Sequence, residues 1–130
     1  MIEQAERYDI KGKRYISTPY KYYFTDTGLR NARLNFRQLE ETHLMENVMY
    51  NELCLRGYSV DVGVVEINER QENGKYVRKQ IEVDFVCNKA DERVYVQSAF
   101  SIPTTEKRQQ EERPLVHVGD GFRKVIVAKD

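Results

Sequence analysis

Ile81-Glu82-Val83-Asp84-Phe85-Val86, followed by Val94-Tyr95-Val96-Gln97-Ser98-Ala99-Phe100, decides the fold. In the first stretch Ile81, Val83 and Phe85 alternate with Glu82 and Asp84, the period of a half-buried strand. In the second, Val94, Val96, Ser98 and Phe100 alternate with Tyr95, Gln97 and Ala99. The polar run from Asn88 to Arg93 between them reads as a turn. A hairpin centred near Ala90 and Asp91 sets Asp84 opposite Gln97, with Cβ atoms about 4.5–5.5 Å apart, close enough to share one cation. Ala99 then lies on the Gln97 face. A slip of one residue would separate the pair.

Working outward, residues 37–56 run without Pro or Gly and stop at Gly57, a C-cap signal, so a helix is predicted there. Leu39, Met49 and Leu53 mark one apolar stripe, and Leu44, Val48 and Leu55 mark a second beside it. Residues 58–67 form a strand, Asn73-Gly74 marks a hairpin turn, and the chain returns along Tyr76–Val86. The whole of 58–102 is thus a three-strand meander. A helix over 104–113, capped by Thr104, is expected to break at Pro114. Residues 116–118 read as extended, and 122–128 as the last strand. Upstream, Thr25–Leu34 reads as a short helix with Asp26 as its cap, and Tyr20, Tyr22, Tyr23 and Phe24 as a strand packed against the following helix. The fold class is α/β, a central mixed sheet flanked by helices.

Glu46 falls on or beside the buried stripe of helix 37–56. A carboxylate there must be paired, hydrogen-bonded or metal-bound. An ion pair with Arg or Lys satisfies it as well as a metal does. Glu52, near the other stripe, is a weaker candidate.

Composition bounds the rest. The chain has 130 residues, one domain's worth, and its 21 Lys and Arg balance its 21 Asp and Glu, so no global basic field draws nucleic acid. A local patch remains: Arg7, Lys11, Lys13 and Arg14, with Tyr8 and Tyr15, make a basic aromatic hairpin. It reads either as a phosphate-contacting wing or as a solvated edge charged against aggregation. Cys54 and Cys87 sit in apolar surroundings without CxxC spacing and read as reduced core residues of a cytoplasmic protein. His43 and His117 are isolated. No apolar run is long enough to span a membrane.

Helix Glu46, strand Glu82-Val83-Asp84 and strand Gln97-Ser98-Ala99 together resemble the Glu…Asp…(Asp/Glu)-x-Lys signature of the PD-(D/E)xK restriction-endonuclease-like superfamily. The segments Arg7–Lys13, Thr18–Phe24, Asp26–Ala32 and Glu46–Leu53 are similar to the C-terminal domain, of unassigned function, of a large prokaryotic family of AAA-type ATPases. There a P-loop module and a winged-helix segment come first. The resemblance implies that residues 1–17 are a remnant hairpin of the winged-helix segment and 18–130 a nuclease-like domain with a restriction-endonuclease-like core, truncated at its C-terminus. No GxxxxGK[ST] loop is present, so the ATP chemistry does not carry over.

In that superfamily acidic side chains hold Mg²⁺, and a lysine positions the nucleophile. The resemblance therefore implies Asp84 and Glu46 as metal ligands. Gln97 stands where a second strand carboxylate belongs, and Ala99 where the lysine belongs. Glu46, Asp84 and Gln97 are then vestigial catalytic positions. No cofactor is expected, and Mg²⁺ is the ion to test. Two readings follow. One is a degenerate, non-catalytic nuclease-fold module that recognises DNA or a protein partner and normally serves an attached ATPase. The other is an active Mg²⁺-dependent nuclease with a relocated lysine, for which Lys79, Lys107 or Arg108 could substitute. Oligomerisation through Tyr-rich strands is a third.

Overall fold

A computed structural model describes residues 2–24, 41–99, 102 and 104–128. In chain order these form β1 (Ile2–Asp9), β2 (Arg14–Phe24), α1 (Glu41–Leu55), β3 (Ser59–Arg70), β4 (Tyr76–Lys89), β5 (Glu92–Ala99), α2 (Thr105–Val118) and β6 (Arg123–Ala128). The expected helix over 25–34, the first turn of the helix over 37–56 with Leu39, and Phe100 lie outside the described residues.

The six strands form one mixed sheet in the order β2-β1-β3-β4-β5-β6. β1 and β3 run parallel, as do β5 and β6, and the other neighbours are antiparallel. The expected β4–β5 register is present: Lys89 pairs with Glu92 and Phe85 with Val96 about a turn at Ala90 and Asp91. The second hairpin turn falls at Asn73-Gly74, where Gly74 takes φ 79° and Gly74 N–H donates to the Gln71 carbonyl.

Each helix covers one face. α1 packs over Ala5, Tyr23, Val60, Val62, Phe85, Cys87 and Val96. Its Tyr50 ring stacks on Tyr23 at 4.1 Å, worth about 0.5–1.5 kcal/mol beyond area burial. It ends in a Schellman motif, with Tyr58 N–H donating to the Leu53 carbonyl and Gly57 N–H to that of Cys54. α2 covers the other face, laying Leu115 and Val118 on Val65, Val83, Val86 and Tyr95. Thr104 caps it by accepting from Lys107 N–H.

Two expectations are corrected, and one boundary is placed within a strand. α2 does not break at Pro114 but continues to Val118, closed by Gly119 at φ 75°. A helix-interior proline costs about 3 kcal/mol, and burial of Pro114, Leu115 and Val118 against the sheet offsets it. The second apolar stripe of α1 is mostly exposed: Leu44 is half-buried but Val48 and Leu55 face solvent, and the buried side carries Glu46, Asn47, Tyr50, Leu53 and Cys54 instead. The division expected between 17 and 18 falls inside the continuous strand β2, and Ala5, Ile10 and Tyr23 all belong to the shared cores. The N-terminal hairpin is therefore the edge of the one sheet.

Candidate functional site

The site is created by an irregularity in β4. Asp61 of β3 pairs with Val86 and Gly63 with Val83, so the pair Asp84-Phe85 faces Val62 alone. Such a bulge bends the strand and re-aims side chains. Phe85 joins the α1 core while Val83 joins the α2 core, so Ile81, Val83 and Phe85 do not share one face as strict alternation predicts. Gly63 fits the crowded spot because it lacks a Cβ: one added there would lie 2.8 Å from Val86 Cγ2 and 2.9 Å from Ile10 Cδ1.

The bulge also separates Asp84 from Gln97. Asp84 Oδ2 accepts from the backbone N–H of Ser98 at 2.8 Å and from Ser98 Oγ at 3.0 Å. The Gln97 amide oxygen accepts Asp84's own backbone N–H at 3.0 Å, and its amide nitrogen donates to Glu111 of α2. Gln97 thus turns toward α2 and clasps the Asp84 backbone, while the Asp84 carboxylate faces Ser98. Ala99 alternates with Gln97 and so lies on the α2 side of β5.

Glu46 is where the sequence placed it, on the buried side of α1, and its partner is a lysine that spacing did not reveal. Lys21 Nζ lies 2.6 Å from Glu46 Oε1 and 3.0 Å from Glu82 Oε1. Arg7 donates to the other Glu82 oxygen at 2.8 Å, and Tyr23 OH donates to Glu46 at 2.9 Å. The signal was available: Lys21 shares its strand face with Tyr23, and an inward lysine requires an acidic partner. The other lysines considered are engaged elsewhere, Lys79 with Glu69 and Lys107 with Glu111, as is Arg108 with Glu112. Glu52 pairs with Arg56 on the exposed side of α1.

The electrostatics follow. Burial raises the Asp84 pKa to about 6; the Glu46 charge adds to the rise, and the Ser98 hydrogen bonds and Lys21 temper it. Burial also opposes ionisation of Glu82, yet the Arg7 hydrogen bond and Lys21 outweigh it and hold that carboxylate below its ordinary value. Lys21 is desolvated, but Glu46 and Glu82 lift its pKa above the usual lysine range. Among the described residues no three His, Cys, Asp or Glu side chains gather as a metal-holding group. The recess beside the cluster, lined by Lys21, Tyr22, Tyr23, His43, Glu46 and Asn47, holds about 160 Å³. Ligand sites usually need ~300–1,000 Å³.

Of the four basic residues proposed for nucleic acid, Arg7 belongs to this ionic cluster. Lys11 reaches the Glu66 carbonyl at 3.5 Å, Arg14 lies 3.8 Å from Asp9, and Lys13 sits in the turn at φ 53°. Both cysteines are free, and burial pushes the Cys87 thiol up to about 12.

The molecule is thus an α/β protein in which the described residues set one helix on each face of a mixed sheet, and no helix among them is long and apolar enough to cross a membrane. The chain is 36% identical over 127 residues to an uncharacterized protein of Haemophilus influenzae, a match covering 98% of this chain and 28% of that protein. The chain therefore spans less than a third of that relative's length. No family model matches it, and no solved structure does.

Proposed function

We propose that this chain is a non-catalytic module on a nuclease-like fold, used to recognise nucleic acid beside an ATPase module. One observation carries the reading: the Lys21 ammonium lies between Glu46 and Glu82, taking up oxygen lone pairs that a divalent ion would need. Mg²⁺ binds through carboxylate oxygens and gives up its waters reluctantly, and here Lys21, Arg7, Tyr23 and Ser98 have claimed the carboxylates first. The much longer relative supports a module that works with other parts of a chain.

The alternative, a Mg²⁺-dependent nuclease with a relocated lysine, has one specific support: Lys21 is a lysine beside Glu46 and on the Asp84 side of the sheet. Cleavage of linear, branched and single-stranded DNA with Mg²⁺ or Mn²⁺, beside an Asp84→Ala control, separates the two. The expected result is no cleavage by either protein. Cleavage that Asp84→Ala abolishes would replace the first reading with the second. A folded protein that binds no nucleic acid would shift recognition to a protein partner.

A further inference from the structure

The β3–β4 hairpin continues well past its neighbours. β1 leaves β3 at Asp9–Val64, and β5 leaves β4 at Phe85–Val96, whereas β3 and β4 stay paired up to Arg70–Tyr76. The rungs from Glu66–Gln80 to Arg70–Tyr76 pair only with each other among the described residues. At about 3.4 Å per residue they make an arm ~14 Å long, before its turn.

The two faces of this arm differ. One carries Ile67, Glu69, Val77 and Lys79; Ile67 is buried, and Glu69 is held by Lys79 and by Arg113 of α2. The opposite face carries Glu66, Asn68, Arg70, Tyr76, Arg78 and Gln80, and all six are exposed. Nothing apolar lies there to justify a strand face except Tyr76, at 67% exposure. Arg78 touches Glu66 at 3.1 Å and is still 77% exposed. Arg70 has no carboxylate partner among the described residues. The β1–β2 turn stands alongside, tied on by Lys11 to the Glu66 carbonyl. Arm and turn together carry seven cations (Lys11, Lys13, Arg14, Arg70, Lys75, Arg78, Lys79) against four carboxylates (Asp9, Glu66, Glu69, Glu72), in a chain whose net charge is zero.

We infer that this arm is a duplex-DNA reader that enters the major groove as a two-stranded ribbon, an inference that rests on the nucleic-acid reading above. The B-DNA major groove, about 12 Å wide and 8.5 Å deep, admits a β-ribbon, and Arg, Asn and Gln are the side chains that hydrogen-bond base edges there. Arg70, Arg78, Asn68 and Gln80 supply that set on one face, while Lys11, Lys13 and Arg14 stand alongside on the β1–β2 turn, where cations can meet phosphates. Duplex RNA does not fit, because its major groove is too deep and narrow for side chains to read.

The test is fluorescence anisotropy of a labelled 24-bp mixed-sequence DNA duplex, titrated with the whole chain at several salt concentrations. Wild type is compared with Arg70→Ala/Arg78→Ala and with Arg108→Ala/Arg123→Ala, which removes the same charge from α2 and β6. Each cation lost from the groove leaves about one phosphate charge fewer neutralised, which flattens the log–log salt slope by about 0.9 and weakens binding about 8-fold at 0.1 M salt. The arm variant is therefore expected to bind roughly 60-fold more weakly and the control variant within about 3-fold of wild type. Circular dichroism should show all three proteins equally folded. Wild-type binding that the arm variant retains would sink the arm while leaving nucleic-acid recognition standing. Tighter binding to single-stranded DNA or to duplex RNA would also overturn it. No binding of any nucleic acid would overturn both.

Discussion

Replacing Lys21 with Met removes the cation at the centre of the buried network while keeping its apolar stem. Its ammonium lies 2.6 Å from Glu46 and 3.0 Å from Glu82, and the three side chains are 30%, 14% and 36% exposed. Breaking a fully buried ion pair costs about 3–5 kcal/mol, and an exposed one about 0–1 kcal/mol. Glu46 is near the buried limit and, among the described residues, keeps the Tyr23 hydroxyl; Glu82 is more open and keeps Arg7. The loss should therefore be about 2–3 kcal/mol. With an unfolding entropy of roughly 2.1 cal/mol/K per residue over 130 residues, the Tm should fall by roughly 7–11 °C at pH 7–8. The deficit must also depend on pH. Glu82's folded pKa is lowered, so its stabilisation is present above the unfolded value and fades as pH falls through the folded one. Asp84, relieved by Lys21 in the wild type, must climb further above its usual range in the variant and so adds to the deficit above pH 6. Thermal and urea unfolding followed by circular dichroism at pH 4 and pH 8 should give a clearly smaller deficit at pH 4. A deficit below about 1 kcal/mol, or one equal at both pH values, would refute the network as a buried and coupled unit.

Two more expectations concern the bulge. Ionised Asp84 costs folding free energy above its folded pKa of about 6, and the cost vanishes below its unfolded value near 3.8. Asp84→Asn keeps an oxygen for the two Ser98 donors and should stabilise the protein by about 1–2 kcal/mol at pH 7.5, a gain that shrinks toward zero by pH 4. A gain independent of pH in urea titrations would show that desolvated charge is not its source. Gly63→Ala forces its Cβ against Val86, Ile10 and Val83, the last at 3.0 Å, and should cost about 1–3 kcal/mol. A wild-type melting temperature for that variant would mean the sheet yields there more easily than its packing implies.

Much of the sheet was legible because its rules are local. Polar turns at Ala90-Asp91 and Asn73-Gly74 located two hairpins, and alternation over 94–99 set the register of the first. The Thr104 cap and the Gly57 stop were equally local. The errors arise where tertiary packing overrides a local rule. Pro114 stays helical because the residues around it are buried, and Val48 and Leu55 are exposed because α1 presents Asn47 and Tyr50 to the sheet. At the site, burial of Glu46 followed from helical spacing, but its partner did not, since Lys21 comes from another strand. The relation of Asp84 to Gln97 failed for one reason: a one-residue bulge leaves register intact and reverses which side chains face each other.

The parallel seam between β1 and β3 has a consequence for how the molecule is assembled. Arg70 meets Tyr76 across a tight turn, whereas Arg7 meets Val62 only after most of the first half of the chain has been looped out. By polymer loop-closure entropy the long seam costs roughly 2 kcal/mol more to close than the short one. The meander is therefore the cheaper closure, and the N-terminal edge the costlier one. Arg7 and Lys21 belong to that edge and pair with Glu82 of the meander and Glu46 of the intervening helix. The ionic network is thus a latch: it engages only once the chain's two ends of the topology have been brought together, and it holds closed the seam that entropy most favours opening.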